Sequence, residues 1–333
     1  MADTSLGQRT DHLLIDRRSD SVDPSRDIRV RAAWLYYVEG LTQQETAKHL
    51  DMNRVQVTRL LAEARKRGEV HIRINTSISS IIEAERAIEQ KFNINKAIIA
   101  PSAGDGLDPT RAIAAVAGQY ISDYVQSGMK IGVGWGRTLY SSLPHIQGRE
   151  LENVRVISLL GGISQAKRFN PAEFAWQFAE LFKGEGYLVP APALVDSAET
   201  KHALLERCGI NQIFELADNL DVAFLSAGGI EGITTSYRLG HVSEAERQSL
   251  IEAGAVGDIL YNFISEDGNL VDHNVNTRGI SVGIERLRNA KDRVLISGGP
   301  EKVSVLLGCV RLTRPTVFIT DEHTAKAMLL SAG

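Results

Sequence analysis

Cysteine is nearly missing from this 333-residue chain, and its two examples, Cys208 and Cys309, stand alone. Their spacing matches no zinc or redox motif, which excludes a disulfide scaffold; both read as buried thiols in a reducing compartment. The eight histidines form no HxxxH or comparable cluster, so no metal and no other cofactor is expected. A run of about 18 apolar residues is also lacking, which excludes a membrane-spanning helix. The segment Met1–Asp20 has no continuous apolar core of the kind a secretory signal needs, and a cytoplasmic location is expected. No internal repeat and no low-complexity tract occurs.

What is present is an ordinary globular composition, 43% hydrophobic and 23% charged, long enough for one small and one large domain. The net charge of −4 discourages nucleic-acid binding until it is divided along the chain. Between Arg26 and Asn75 ten Lys and Arg face six Asp and Glu, a net +4, which leaves −8 elsewhere to reach −4. A basic small domain therefore precedes an acidic large one, and phosphate attraction is confined to one end.

Within the basic stretch, Leu41–Gly68 reads as two short helices joined by a tight turn. Thr42 and Glu45 make a capping box, Ala47 and Leu50 point inward, and Asp51 suits the left-handed stop. Asn53 caps the second helix with Gln56 as its reciprocal partner, and Val57, Leu60 and Leu61 recur at helical spacing. The opposite face carries Arg54, Gln56, Thr58, Arg59, Arg65, Lys66 and Arg67. Such a helix suits the major groove, with Arg54, Gln56 and Arg59 on base edges and Thr42, Gln44, Thr58 and Lys66 on phosphates. Asn53 belongs to the same DNA-binding set. A merely structural helical hairpin is the competing reading. Ahead of it, Val30, Ala33, Trp34, Tyr37 and Val38 predict the apolar face of a support helix, and residues 1–25 read as a mobile arm. After it, Glu69–Asn75 alternates like a half-buried strand, the wing of a winged helix-turn-helix domain over 26–75.

A linker helix over 76–94 follows, a spacer or a dimerisation helix. From residue 95 to 333 short apolar runs alternate with helical patterns, which predicts a doubly wound α/β domain. The expected strands are Lys96–Ala100, Lys130–Gly134, Val154–Leu160, Tyr187–Val189, Val222–Ser226, Val294–Ser297 and Thr316–Ile319. Glycines cluster at strand ends, where parallel sheets bind ligands: Gly134-Trp135-Gly136-Arg137-Thr138, Gly161-Gly162, Gly228-Gly229 and Gly298-Gly299. Arg137, Thr138 and Lys302 add donors suited to a phosphate or a polyhydroxylated ligand. The first cluster is neither a dinucleotide fingerprint nor a P-loop. Asp258 has two open roles, hydrogen-bonding a sugar hydroxyl or capping buried backbone. Arg278 either pairs with an acid among Asp258, Glu266, Asp267 and Asp272 or reaches the ligand.

Taken together, the motifs LTQQETAKHL-x-M-N-x-x-x-V-T-R-L-L, GWGRT (134–138), LLGG (159–162), PAP (190–192), AVGDI (255–259), DGNLVD (267–272), GG-x-E-K (298–302) and TDEHTAKAML (320–329) resemble the SorC family of bacterial sugar-responsive transcriptional regulators. The resemblance spans nearly all of residues 28–333. It implies a large domain similar to phosphosugar isomerases of the ribose-5-phosphate isomerase type, used as a sensor without turnover. It also implies dimers of dimers and an effector that is a phosphorylated sugar or polyol. By position, the family's glycine-and-hydroxyl loop falls on Gly134, Gly136, Arg137 and Thr138, its phosphate-side lysine on Lys302 and its acidic pocket residue on Asp258. Two departures stand out: Ser226-Ala227-Gly228-Gly229 where members often have G-I-G-S, and Trp135-Gly136-Arg137 where members have small polar residues. The expected effector set is thus Gly134, Trp135, Gly136, Arg137, Thr138, Gly161, Gly162, Gly228, Asp258, Arg278, Gly299 and Lys302. The expected function is a repressor of a carbohydrate or sugar-alcohol operon, with operator DNA and the small effector as partners. The alternative is a sugar-phosphate isomerase or deaminase carrying a DNA-binding domain, with Asp258, Glu231 and Asp272 as the available bases.

Overall fold

The computed structural model describes residues 24–70, 78–102, 104, 107–163, 170–231 and 242–331. The chain divides into two compact units, one on each side of residue 72. Most of the expected arm and the greater part of the expected wing strand lie outside the described residues.

The first unit holds α1 (Pro24–Ala33), α2 (Gln43–His49) and α3 (Arg54–Lys66), with a π-helical segment, Trp34–Val38, continuing α1. Both capping boxes form: Thr42 with Glu45, and Asn53 with Gln56. Each satisfies donors that a helix start leaves unpaired. Asp51 takes a φ of +52° between α2 and α3, the left-handed stop an aspartate tolerates. The core is small: Ala32, Ala33, Ala47, Val57, Leu61 and Ala64, with Leu60 only partly covered. The support helix departs from expectation. Val30, Trp34 and Val38 are 43%, 57% and 61% exposed, and the inner face is Arg29, Ala32, Ala33 and Leu35. Two causes act: Arg29 turns inward to meet Glu69, and the wider π turn shifts the phase of the residues after Ala33.

The second unit is built on seven parallel strands: β1 (Lys96–Ala100), β2 (Lys130–Val133), β3 (Arg155–Gly162), β4 (Glu185–Pro192), β5 (Val222–Leu225), and, after a small antiparallel sheet of β6 (Gly228–Gly229), β7 (Gly257–Ile259) and β8 (Asn262–Ile264), β9 (Asp292–Ile296) and β10 (Val317–Asp321). The order across the large sheet is β1-β10-β9-β5-β2-β3-β4. Its helices are α4 (Ile78–Phe92), α5 (Thr110–Tyr124), α6 (Arg137–Ser142), α7 (Pro171–Leu181), α8 (Ala198–Arg207), α9 (Ile210–Leu216), α10 (Glu244–Glu252), α11 (Ile284–Arg288), α12 (Val303–Thr313) and α13 (Glu322–Ser331). Successive strand residues serve opposite faces: Val222 and Phe224 of β5 enter one core, Ala223 and Leu225 the other. Burial on both faces is why these strands read as continuous apolar runs.

The helix expected as a linker is part of this unit's core. Ala84 and Ile88, one turn apart, are buried with Ala325 and Met328 of α13, and Glu89 and Glu85 accept the edge amides of Ala97 (2.8 Å) and Ile99 (3.0 Å). Those carboxylates close the β1 edge, a pairing that helical periodicity does not announce. Cys309 is buried as expected, whereas Cys208, just after α8, is exposed. The described residues hold no helix long and apolar enough to cross a membrane.

Candidate functional site

The connections leaving β2 and β5 diverge. From β2 the chain proceeds to β3 and β4, while β5 returns to the other side of β2. The carboxyl ends of these two strands therefore flank the switch point of the sheet, the place where open α/β sheets leave a crevice. Gly134–Thr138 leaves β2 there and Ser226–Gly229 leaves β5. They are neighbours: the Gly134 amide donates to the Phe224 carbonyl at 2.8 Å, and a methyl group on Gly136 would sit 3.4 Å from the Ser226 hydroxyl. Gly136, at φ +134°, holds a conformation side-chain-bearing residues avoid, which turns the chain into α6.

Lys302 arrives from the loop after β9. Its Nζ lies 3.4 Å from the Ser297 hydroxyl, and its stem passes beside Gly229. Burial pushes its ammonium below the usual lysine range and the nearby Arg137 guanidinium adds to the shift, against Glu301, Asp108 and Asp258. Arg137 itself pairs with Asp108 at 3.2 Å. Two cations are thus drawn together at the ends of β2 and β9, where unpaired like charge is costly. Next to Arg137 in sequence, the Thr138 hydroxyl, in a residue only 1% exposed, has no hydrogen-bond partner among the described residues. Buried hydroxyls are usually satisfied, and this one, like those of Thr46 and Thr320, has a donor to spare.

Asp258 faces Gly228 across the β6–β7 ladder and is 3% exposed. Its carboxylate accepts the Tyr261 amide at 3.0 Å. That bond supports a two-residue turn in which Leu260 (φ +52°) and Tyr261 (φ +59°) are both left-handed, a geometry usually given to Asn-Gly. The Asn262 side chain reinforces it by donating to the Ile259 and Leu260 carbonyls at 3.0 and 3.1 Å. The backbone-capping role foreseen for Asp258 is therefore occupied. The Trp135 ring, expected against an effector, is buried and stacks on Tyr261 with centroids 5.1 Å apart. It anchors the loop whose backbone Gly134 and Gly136 expose.

The structure thus gathers Gly134, Gly136, Arg137, Thr138, Gly228, Asp258, Gly299 and Lys302 around the ends of β2, β5 and β9. Besides Trp135, three expected residues serve other contacts. The Gly161 amide donates to the Ile280 carbonyl at 2.9 Å, and the Gly162 carbonyl accepts from Ala193 at 2.8 Å, so both are spent in the irregular β3–β4 margin. Arg278 pairs with Glu246 of α10, not with any of the four acids foreseen for it. Glu246 was invisible as a partner because it also closes the capping box with Ser243, a purely helical signature. Asp108 was missed too, although Asp-Pro-Thr before a helix marks a start signal.

On the first unit, Arg54, Gln56, Thr58, Arg59 and Lys66 are all exposed along α3, with Thr42 and Gln44 exposed at the start of α2. Gln43 was not foreseen: its side-chain oxygen accepts from Thr58 at 3.1 Å and from Arg54 at 3.5 Å, which orients both. The Gln56 oxygen accepts the Asn53 amide at 2.9 Å, which holds the side chain over the start of α3 with its NH2 group still able to donate.

The Sugar-bind model of a sugar-binding domain matches residues 76–330. The deoxyribonucleoside regulator of Bacillus subtilis (strain 168) is 30% identical over 91% of this chain and 97% of its own length. The erythritol catabolism regulatory protein of Brucella abortus (strain 2308) is 26% identical over 92% and 98%. The crystal structure of the full-length sorbitol operon regulator SorC from Klebsiella pneumoniae aligns with a TM-score of 0.69 at 28% identity, over 92% of this chain and 99% of that one. The chain belongs to the SorC family of transcriptional regulators, with the family's sugar-binding domain on residues 76–330.

Proposed function

We propose that the protein is a repressor of a carbohydrate or sugar-alcohol catabolic operon, released from its operator by a phosphorylated sugar or polyol. One observation carries the effector half of this reading: Arg137 and Lys302 converge beside glycine backbone and the unsatisfied Thr138 hydroxyl at the sheet's switch point. Guanidinium and ammonium groups suit a phosphate, and free hydroxyls and amides suit sugar oxygens. Arg54, Gln56 and Arg59 read base edges, while Thr42, Gln44, Thr58 and Lys66 hold phosphates, with Asn53 shaping the start of the reading helix. Gln56 contributes its NH2 group as a donor while its oxygen caps α3. The protein acts as a homo-oligomer, a dimer of dimers, on a two-fold symmetric site.

The ligand leaves unchanged. Asp258 is tied to a backbone amide, and Glu231 and Asp272 are exposed, which supports a sensor over an isomerase or deaminase. Thermal-shift screening of the full chain against sugars, polyols and their phosphates tests the effector half, because a ligand that favours the folded state raises Tm. A Tm rise confined to phosphorylated compounds, with no product formed on incubation, is the expected result; conversion of the ligand would favour the enzyme reading instead.

A further inference from the structure

Asp108 lies just before α5 and outside every motif that points to the site. Its Oδ1 accepts the Thr110 amide at 2.9 Å, which fixes the carboxylate on the first turn of that helix. Its Oδ2 meets Arg137 Nη1 at 3.2 Å. The group is held ionised. Burial alone would raise its pKa, but the Thr110 hydrogen bonds and the charges of Arg137 and Lys302 outweigh that and keep it below the usual aspartate range. The two cations of the site therefore stand among three carboxylates, Asp108, Asp258 and Glu301, and the site is no net-positive trap. An anion that approaches Arg137 meets a carboxylate already paired with one of its nitrogens.

Resting on the anion-site reading above, we propose that Asp108 sets the selectivity of the site by competing with the ligand's anionic group for Arg137. A ligand carboxylate offers Arg137 the same singly charged, planar partner that Asp108 provides and gains little from the exchange. A phosphate ester carries up to two charges and a third oxygen, so it outbids the aspartate. A neutral polyol leaves the Arg137–Asp108 pair intact and forgoes the strongest donor in the site. The class of ligand selected is therefore a phosphate monoester over carboxylates and uncharged polyols.

The test is calorimetric titration of the full chain with inorganic phosphate and with acetate at fixed ionic strength and pH 7. The wild type is compared with Asp108→Asn, Arg137→Gln and the double variant. Asparagine keeps an oxygen for the Thr110 amide, and a melting curve checks that each variant is folded. Because the Asp108–Arg137 pair is about half exposed, its removal is worth about two- to fivefold in binding. Asp108→Asn is expected to tighten phosphate by that factor, to bring acetate up by at least as much, and to lose both gains in the Arg137→Gln background. Unchanged or weaker phosphate binding by Asp108→Asn, or a gain that survives Arg137→Gln, overturns the role of Asp108 while leaving the anion site standing. Phosphate binding by none of the folded proteins overturns the anion site together with this proposal.

Discussion

Arg29 donates from Nε and Nη2 to the two carboxylate oxygens of Glu69, at 3.0 and 2.8 Å, with both side chains largely buried. This pair closes a first unit whose apolar core is mostly alanine. Removing one partner of a buried pair strands the other charge, which costs about 3 kcal/mol. Glu69→Ala is therefore expected to raise hydrogen-exchange rates across residues 54–66 strongly. The hydrogen bond from Arg29, against burial, holds the Glu69 pKa below the usual range. The pair's contribution is thus full above the unfolded glutamate pKa and fades as pH falls through the lower folded value. Exchange in α3 that is unaffected by Glu69→Ala would show that the clamp is not structural.

Glu85 gives the opposite pH dependence. Burial raises its pKa, and the like charge of Glu89 adds to this, against the Ile99 amide it accepts. The folded state then binds the proton more tightly than the unfolded one, so stability is highest below the unfolded pKa and falls as pH rises through the folded value. Glu85→Gln keeps an acceptor for the β1 edge without a buried charge. Its Tm is expected to equal or exceed that of wild type at pH 7, with the advantage gone near pH 4. A loss at pH 7 as large as that of Glu85→Ala would contradict this.

The two glycines that end β3 differ sharply. A methyl group on Gly161 would lie 2.5 Å from the Pro192 carbonyl oxygen, whereas one on Gly162 would meet nothing nearer than 3.7 Å. Backbone cannot yield as a flexible side chain does, so Gly161→Ala is expected to cost about 1–3 kcal/mol or more in urea denaturation. Gly162→Ala should fall within about 0.5 kcal/mol of wild type.

Arg59 projects from α3 without the Gln43 contact that steadies Arg54. If it reads a base, Arg59→Ala costs about 1–3 kcal/mol on the preferred duplex and relaxes the sequence preference recovered from a random pool. A loss uniform across sequences would reassign it to a phosphate.

All seven strands of the large sheet were legible in the sequence, most of them because residues buried on both faces leave unbroken apolar runs such as Val154–Leu160; the more exposed edge strand β4 showed only as Tyr187–Val189. The two capping boxes of the first unit were legible for a similar reason: each is a local, four-residue pattern. What escaped was set by distant partners. The inward turn of Arg29 depends on Glu69, forty residues on, and left Trp34 exposed where its neighbours predicted burial. α4 read as a spacer or a dimerisation helix because nothing in its own periodicity shows that β1 lies beside Glu85 and Glu89. In the site, the glycines and Lys302 announced themselves through strand-end position. Asp108 did not, because a helix-start aspartate looks alike whether or not an arginine faces it.

The most direct measurement is the affinity of the full chain for a duplex selected from a random pool, followed by fluorescence anisotropy with and without a sugar phosphate that raises its Tm. A ligand acts on DNA binding only through different affinities for two states of the protein. The affinity is expected to fall by roughly 5–150-fold with the ligand present, and the ligand effect should vanish in Arg137→Gln and Lys302→Gln. A ligand that binds at Arg137 and Lys302 yet leaves the affinity for DNA unchanged would contradict the coupling of sensor to operator.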